Sequence, residues 1–309
     1  MNDASPSLST GAGLSSPGVQ TGEVTAPLLL ERYQPQRLLA RGSSALVFKG
    51  WDTVLGRDVA IKLFRFHTAA SMEAFREEVR VLAKLNHHGI VAINDLGLDL
   101  SDADEPHPFL VMEFVRGMTL RECLNERRPS TTEIGELGFE IAEALEYVHA
   151  QGVIHRDISP SNIMLVDYGT AMSRTRARLT DFGIAIAVGA EHEPGQPTEG
   201  TPAYLSPEQA SARSLTPASD IYSLGLVLLE CFTGHRAFPG DPVQSALARL
   251  TDDPEIPAIV PARWAELLRR MTSRDAADRP SAADLATDIR RTLRGSGRHT
   301  DDRLGEADR

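Results

Sequence analysis

His155-Arg156-Asp157-Ile158-Ser159-Pro160-Ser161-Asn162 is the stretch that decides the reading of this chain. It follows Ile134, Leu137, Ile141, Leu145 and Val148, whose spacing predicts a long helix opened by a capping box at Ser130–Thr132 and Glu133. Beyond it, after a further strand pair, stands Asp181-Phe182-Gly183. A lone His-Arg-Asp tripeptide carries little weight, because an Asp there also serves as an ordinary turn cap. An acid, an amide five residues on and a second acid past the strands form an ordered set that chance explains poorly.

Upstream of this set the periodicity is that of strands. Ala45 to Trp51 leans to β structure, and Val59, Ile61 and Leu63 alternate with smaller or charged residues. Asp52 to Arg57 supplies the turn between them, with Gly56 as its flexible point. The second run contains Val59-Ala60-Ile61-Lys62, a strand carrying a lysine. Ser71 to Leu85 predicts a helix, with Ser71 as N-cap and Met72, Phe75, Val79 and Leu82 on one face. Two strands follow, Val91 to Leu98 and Phe109 to Val115, joined by the polar stretch Ser101 to Pro108. From Arg116 the pattern turns helical. Asp220 to Phe232 is apolar almost all round, as a buried helix is, and Ser281 opens an amphipathic helix with Leu285, Ile289 and Leu293. The expected order is a strand-rich half over 31–114 and a larger helical half over 115–294. Residues 1–30, rich in Ser, Gly, Thr and Pro, predict a disordered tail, and the polar residues 295–309 a loose one.

Composition narrows the function classes. A net charge of −11 over 309 residues argues against a general nucleic-acid binder. Cys123 and Cys231 belong to no CxxC or Cys/His cluster, which excludes a disulfide framework and a zinc motif. No signal-peptide pattern follows Met1, and the most apolar stretch, Leu224 to Phe232, is too short to span a bilayer, so a cytoplasmic protein without a membrane span is expected. Arg fills nearly every basic position; the lysines are Lys49, Lys62 and Lys84. A position that keeps Lys against that bias suits a compact point charge.

With Ser206-Pro207-Glu208 beyond a polar loop, the set resembles the protein kinases, and among them the eukaryotic-like Ser/Thr kinases of bacteria, over about Tyr33 to Leu293. The resemblance implies an α+β bilobal fold: a small antiparallel sheet with one key helix, then a mostly helical lobe. It implies ATP with Mg²⁺, Mn²⁺ being the alternative ion, and transfer of the γ-phosphoryl group to Ser/Thr hydroxyls of protein substrates, the chain itself included.

The roles follow residue by residue from the family pattern. Lys62 pairs with the α- and β-phosphates. Glu77 and Glu78 both stand on the helix that should steady it, and the pattern selects Glu78. Asp181 and Asn162 are the metal ligands, and Asp157 accepts or orients the proton of the substrate hydroxyl. The phosphate loop falls on Leu39, Ala40, Gly42 and Ala45, with Val47 as roof; two alanines stand where the family has glycines. Met112 is the gatekeeper, Glu113 and Val115 offer hinge backbone to the base, and Val47, Ala60 and Met164 sandwich it. Glu208 should meet Arg279, and Asp220 should bind backbone of the catalytic loop. Thr201, in Gly200-Thr201-Pro202, should dock substrate near Asp157, and Thr198 is the candidate autophosphorylation site.

Two departures qualify the pattern. Ser159 stands where the family usually has a lysine two residues after the catalytic Asp. The stretch Asp167 to Arg178 is longer than the family's turn and holds Arg174, Arg176 and Arg178, which reads as a solvated loop or a docking surface. Ser159, Ala40 and Ala45 support a competing class, a pseudokinase scaffold. A small-molecule phosphotransferase of the aminoglycoside-kinase type is the second alternative, opposed by Ser206-Pro207-Glu208 and Thr201.

Overall fold

The computed structural model describes residues 28–42, 45–65, 69–100, 107–169, 174–182 and 201–301. In the small lobe, β1 (Tyr33–Arg41), β2 (Ala45–Asp52), β3 (Arg57–Phe64), β4 (Ile93–Asp99) and β5 (His107–Glu113) form one antiparallel sheet in the order β1-β2-β3-β5-β4. The period-2 pattern of β3 and β5 sorts their side chains. Val59, Ile61, Phe109 and Val111 enter a cluster with Leu29 and Tyr33. Phe64, Leu110 and Met112 enter the main core with Phe75, Val79 and Leu82 of helix α1 (Ala69–Leu82).

The β2–β3 hairpin turns as its sequence predicts. Gly56 takes φ 61° and donates to the Asp52 carbonyl at 2.8 Å. Asp52 Oδ1 accepts the amides of Val54 and Leu55 at 3.1 Å each, and Arg32 clasps both carboxylate oxygens at 2.8 and 2.7 Å. The Arg32 hydrogen bonds hold that carboxyl down at about 2. Helix α1 begins two residues before the expected cap, so Ser71 lies inside its first turn. Ala69 and Ala70 are strong helix formers and extend the helix past the polar residue that resembled a cap.

The large lobe is built on α2 (Leu120–Glu126), α3 (Thr131–Ala150), α4 (Pro207–Ala210), α5 (Pro217–Thr233), α6 (Pro242–Thr251), α7 (Ala262–Met271) and α8 (Ala282–Asp301). A small sheet joins β6 (Met118–Thr119), β7 (Ile163–Val166) and β8 (Arg176–Leu179), and β8 bridges to the α1–β4 link at Ile90–Leu179. The box before α3 forms as expected: Glu133 N–H donates to Ser130 Oγ at 3.2 Å, and Ser130 N–H to Glu133 Oε2 at 2.7 Å. In α5 every residue from Ser219 to Thr233 is buried, which is why its sequence shows no polar face. Helix α8 continues to Asp301, past Gly295 where a loose tail was expected. Propagating a helix that is already nucleated is far easier than starting one, and two glycines do not stop it.

The expected Glu208–Arg279 pair is present. Arg279 donates to Glu208 Oε1 and Oε2 at 2.7 and 3.1 Å, and Ser219 Oγ donates to Oε1 at 2.7 Å. Burial pushes the Glu208 carboxyl up, but the bonds from Arg279 and Ser219 outweigh it and the net shift is downward. The remaining donors of Arg279 go to the carbonyls of Ala218, Ser273 and Arg274. Arg279→Met should therefore lower unfolding stability by about 3–5 kcal/mol, since it strands a half-buried carboxylate and three carbonyls. Urea denaturation checks this, and a loss under about 1 kcal/mol would mean that water replaces the pair.

Candidate active site

The His155–Asn162 loop after α3, where the sequence places the catalytic acid, is held from below. Asp220, buried at the start of α5, accepts the backbone N–H groups of His155 at 2.8 Å and Arg156 at 2.9 Å, and contacts His149 Nε2 at 2.8 Å. Arg156 has φ 69°, a left-handed conformation that a non-glycine residue adopts only when its surroundings impose it. Asp220 imposes it on the amide side. Gln209 Nε2 does so on the carbonyl side, donating to the Arg156 oxygen at 2.7 Å.

His155 is buried and packs on Phe182 with ring centroids 4.5 Å apart. Its Nε2 lies 3.1 Å from the Thr180 carbonyl, and its Nδ1 accepts the Asp157 N–H at 3.3 Å, which assigns the ring proton to Nε2. Burial pushes this imidazole's pKa down, so the neutral ring that the bonds require is also the one its environment favours.

Asn162 closes the 3-10 turn Pro160–Asn162. Its Nδ2 donates to both the carbonyl and the carboxylate Oδ2 of Asp157, each at 2.8 Å. Thr180 N–H donates to the Asn162 carbonyl at 3.0 Å, which ties the turn to the chain leading into Asp181. Asp181 has φ 56° and receives Lys62 Nζ on Oδ1 at 2.8 Å. Ser159 is 3% exposed and extended at the start of the turn.

Four of the five expected residues thus form two pairs, Lys62–Asp181 and Asp157–Asn162. The fifth is placed differently. Glu78 is the inward-facing acid of α1, but its carboxylate meets Arg156 Nη1 at 3.2 Å rather than Lys62. Glu77 pairs with Arg80 on the exposed face, which leaves Glu78 as the one of the two turned toward Arg156. Lys62 is a flexible point charge and takes the carboxylate of Asp181 at hand. The Glu78–Arg156 pair is partly solvated on both sides, so exchanging it costs little.

On the base side, β pairing sets Val47 opposite Lys62 and Ala60 opposite Met112. Met112 is buried; Val47, Ala60, Val115 and Met164 are partly buried, and Leu39 and Ala40 are exposed. Gly42 N–H donates to the Ala45 carbonyl at 2.9 Å, closing the β1–β2 turn. Thr198, Gly183 and Gly200 lie outside the described residues. The backbone of Thr201 opens the 3-10 turn Thr201–Tyr204.

Of the arginines of 174–178, only Arg174 stays in the loop, with its side chain half exposed. Arg176 and Arg178 belong to β8. Arg176 meets the buried Glu140 at 2.6 Å, Arg178 forks onto Glu113 at 2.7 Å, and Arg174 reaches Glu136 at 3.4 Å. Acids on α3 and the hinge neutralise them. Sequence reasoning also missed the knot under the 3-10 turn, where Tyr204 and Arg121 both donate to the buried Glu230. Arg121 and Glu230 are 109 residues apart, and no local pattern announces such a partner.

Residues 33–288 match the family model of the protein kinase domain. The chain belongs to the protein kinase family. As a kinase domain it is 38% identical over 277 residues to a probable serine/threonine-protein kinase of Streptomyces coelicolor, covering 85% of this chain and 40% of that one. It is 38% identical over 262 residues to serine/threonine-protein kinase PknL of Mycobacterium tuberculosis, covering 82% and 63%. Against PknA of the same species it is 36% identical over 245 residues, covering 77% and 55%. The chain spans about half the length of the curated relatives it matches. Kinase domains use ATP and a divalent metal. Among the described residues, no helix is long and apolar enough to cross a membrane.

Proposed function

We propose that this domain transfers the γ-phosphoryl group of Mg-ATP to Ser/Thr hydroxyls of proteins, itself included. The placement of Asp157 supports this most directly: it lies on a loop anchored at both ends of Arg156 and is held by Asn162 through two 2.8 Å bonds. An acid so fixed can take the proton of an approaching hydroxyl without reorganising. Lys62, delivered by β3, offers its ammonium to the α- and β-phosphates. Glu113 spends its N–H on the Ala92 carbonyl, so its own carbonyl is the group it can offer a base, leaving the donor role to Val115.

The donor set fits a hard cation. Asp181 supplies a carboxylate, and Asn162, with both amide hydrogens on Asp157, has its side-chain oxygen left for a ligand role. Mg²⁺ keeps waters and phosphate oxygens in its shell, so few protein ligands suffice for it. When bound, the ion neutralises charge on the transferring phosphate. We take 31–294 as the domain, with the lobes meeting after Phe114, and the cytoplasm, where ATP is, as its location.

Incubation with Mg-ATP followed by mass spectrometry of the chain tests the reading. Phosphate should appear on Ser or Thr, with Thr198 the candidate position, and vanish in Asp157→Ala. Nucleotide binding without transfer to the chain or to a generic protein substrate would replace an enzyme with a scaffold. Ser159→Lys should raise kcat about 10- to 100-fold, because it restores a charge-assisted bond worth about 1.5–3 kcal/mol to the transferring group. Steady-state rates check this. Unchanged or lower turnover would mean that the site is built around a buried serine whose lysine replacement cannot reach the phosphate.

A further inference from the structure

A second charged device sits between the hinge and Asp181. Arg178 Nη1 and Nη2 donate to Glu113 Oε1 and Oε2 at 2.7 Å each, and Nη2 also donates to the Ile90 carbonyl at 2.7 Å. These groups come from three segments. Glu113 ends β5, where the chain leaves the small lobe. Ile90 lies in the link between α1 and β4. Arg178 is on β8, three residues before Asp181. The link is itself stitched to β8: Val91 N–H donates to the Leu179 carbonyl at 2.8 Å, and Leu179 N–H to that of Gly89 at 2.8 Å.

The guanidinium is where the segments meet. Its side chain is 10% exposed while the Glu113 side chain is 42% exposed, so the fork reaches from the interior to the rim of the hinge. Its Nε is buried and finds no hydrogen-bond partner among the described residues. A planar fork on a carboxylate fixes direction as well as distance, which a lysine cannot do.

We propose that Arg178 is a positioning residue for the nucleotide: through Glu113 it sets the span between the base-binding hinge and Asp181. The proposal rests on the kinase reading of those two ends. An ion pair that only stabilised the fold would not distinguish a ligand touching one end from a ligand bridging both. A register device would. Adenosine needs the hinge alone, whereas Mg-ATP must satisfy hinge and phosphate subsites together, and joining two subsites gains affinity only while their spacing is held.

Equilibrium titration of the full chain with Mg-ATP and with adenosine decides the matter, using Arg178→Lys and Arg178→Gln. Each variant keeps one hydrogen-bonding arm and should fold. Both should weaken Mg-ATP by about 10-fold while adenosine affinity stays within about twofold. Parallel weakening of both ligands, or no weakening of Mg-ATP, would overturn the assignment. Because the readout is binding, it stands apart from phosphoryl transfer: a wild-type chain that transfers nothing refutes the enzyme, and the split between the two ligands still decides the register.

Discussion

Asp157→Ala should lower kcat for phosphoryl transfer by about 10²–10⁴-fold, the range that a positioned general acid or base contributes. The loss should fall on kcat, because the structure separates the two halves of the site. Lys62 is bonded to Asp181, and that contact does not involve Asp157. Affinity for Mg-ATP should thus stay within about fivefold, a change of about 1 kcal/mol, since the side-chain bond lost lies within the protein rather than to the nucleotide. The substitution also removes one of the two acceptors that orient the Asn162 amide, although the Asp157 carbonyl remains. Labelled-ATP assays with a protein substrate, paired with nucleotide titration, give both numbers. More than a tenth of wild-type turnover in the variant would place the proton's acceptor elsewhere.

Asp220→Ala should be as damaging by a different route. It removes the acceptor for two backbone amides and the partner of the His149 ring in a buried position. Buried donors left unsatisfied cost about 1–3 kcal/mol each, so the variant should lose about 3–5 kcal/mol of stability. Turnover should fall as well, by about 10- to 100-fold in the fraction still folded. The left-handed Arg156 then loses its amide-side restraint, and a displacement near 1 Å at the neighbouring Asp157 is enough for that. Denaturation midpoints and kcat measured well below the melting range separate the two effects. Wild-type stability and turnover together would show that water takes over the role of Asp220. The Asp157 and Asp220 effects should combine less than additively, because both act on the same eight-residue loop.

Much of this was legible locally. Ser130 and Glu133 announce the start of α3 because a capping box is a four-residue interaction. Asp52 and Gly56 announce the β2–β3 hairpin because the turn satisfies its own amides. The start of α1 and the end of α8 were misplaced, since helix ends answer to neighbouring propensity and propagation as much as to a cap-like residue or a glycine. The Arg178–Glu113 fork and the Arg121–Tyr204–Glu230 knot were illegible, because their partners stand 26 to 109 residues apart along the chain.

For the opening stretch the division is clear. The sequence by itself singled out the residues proposed to carry the chemistry, Lys62, Asp157, Asn162 and Asp181, because that chemistry needs fixed residue types in a fixed order, and order is what a sequence records. It also determined the two-lobe architecture, because the change from period 2 to period 3.6 is written along the chain. Only the tertiary structure decided the partners: Lys62 with Asp181, Glu78 with Arg156, and Arg178 with the hinge rather than with solvent. Charges choose partners by distance through space, and a flexible ammonium or a guanidinium fork pairs with whichever carboxylate the fold brings within about 3 Å.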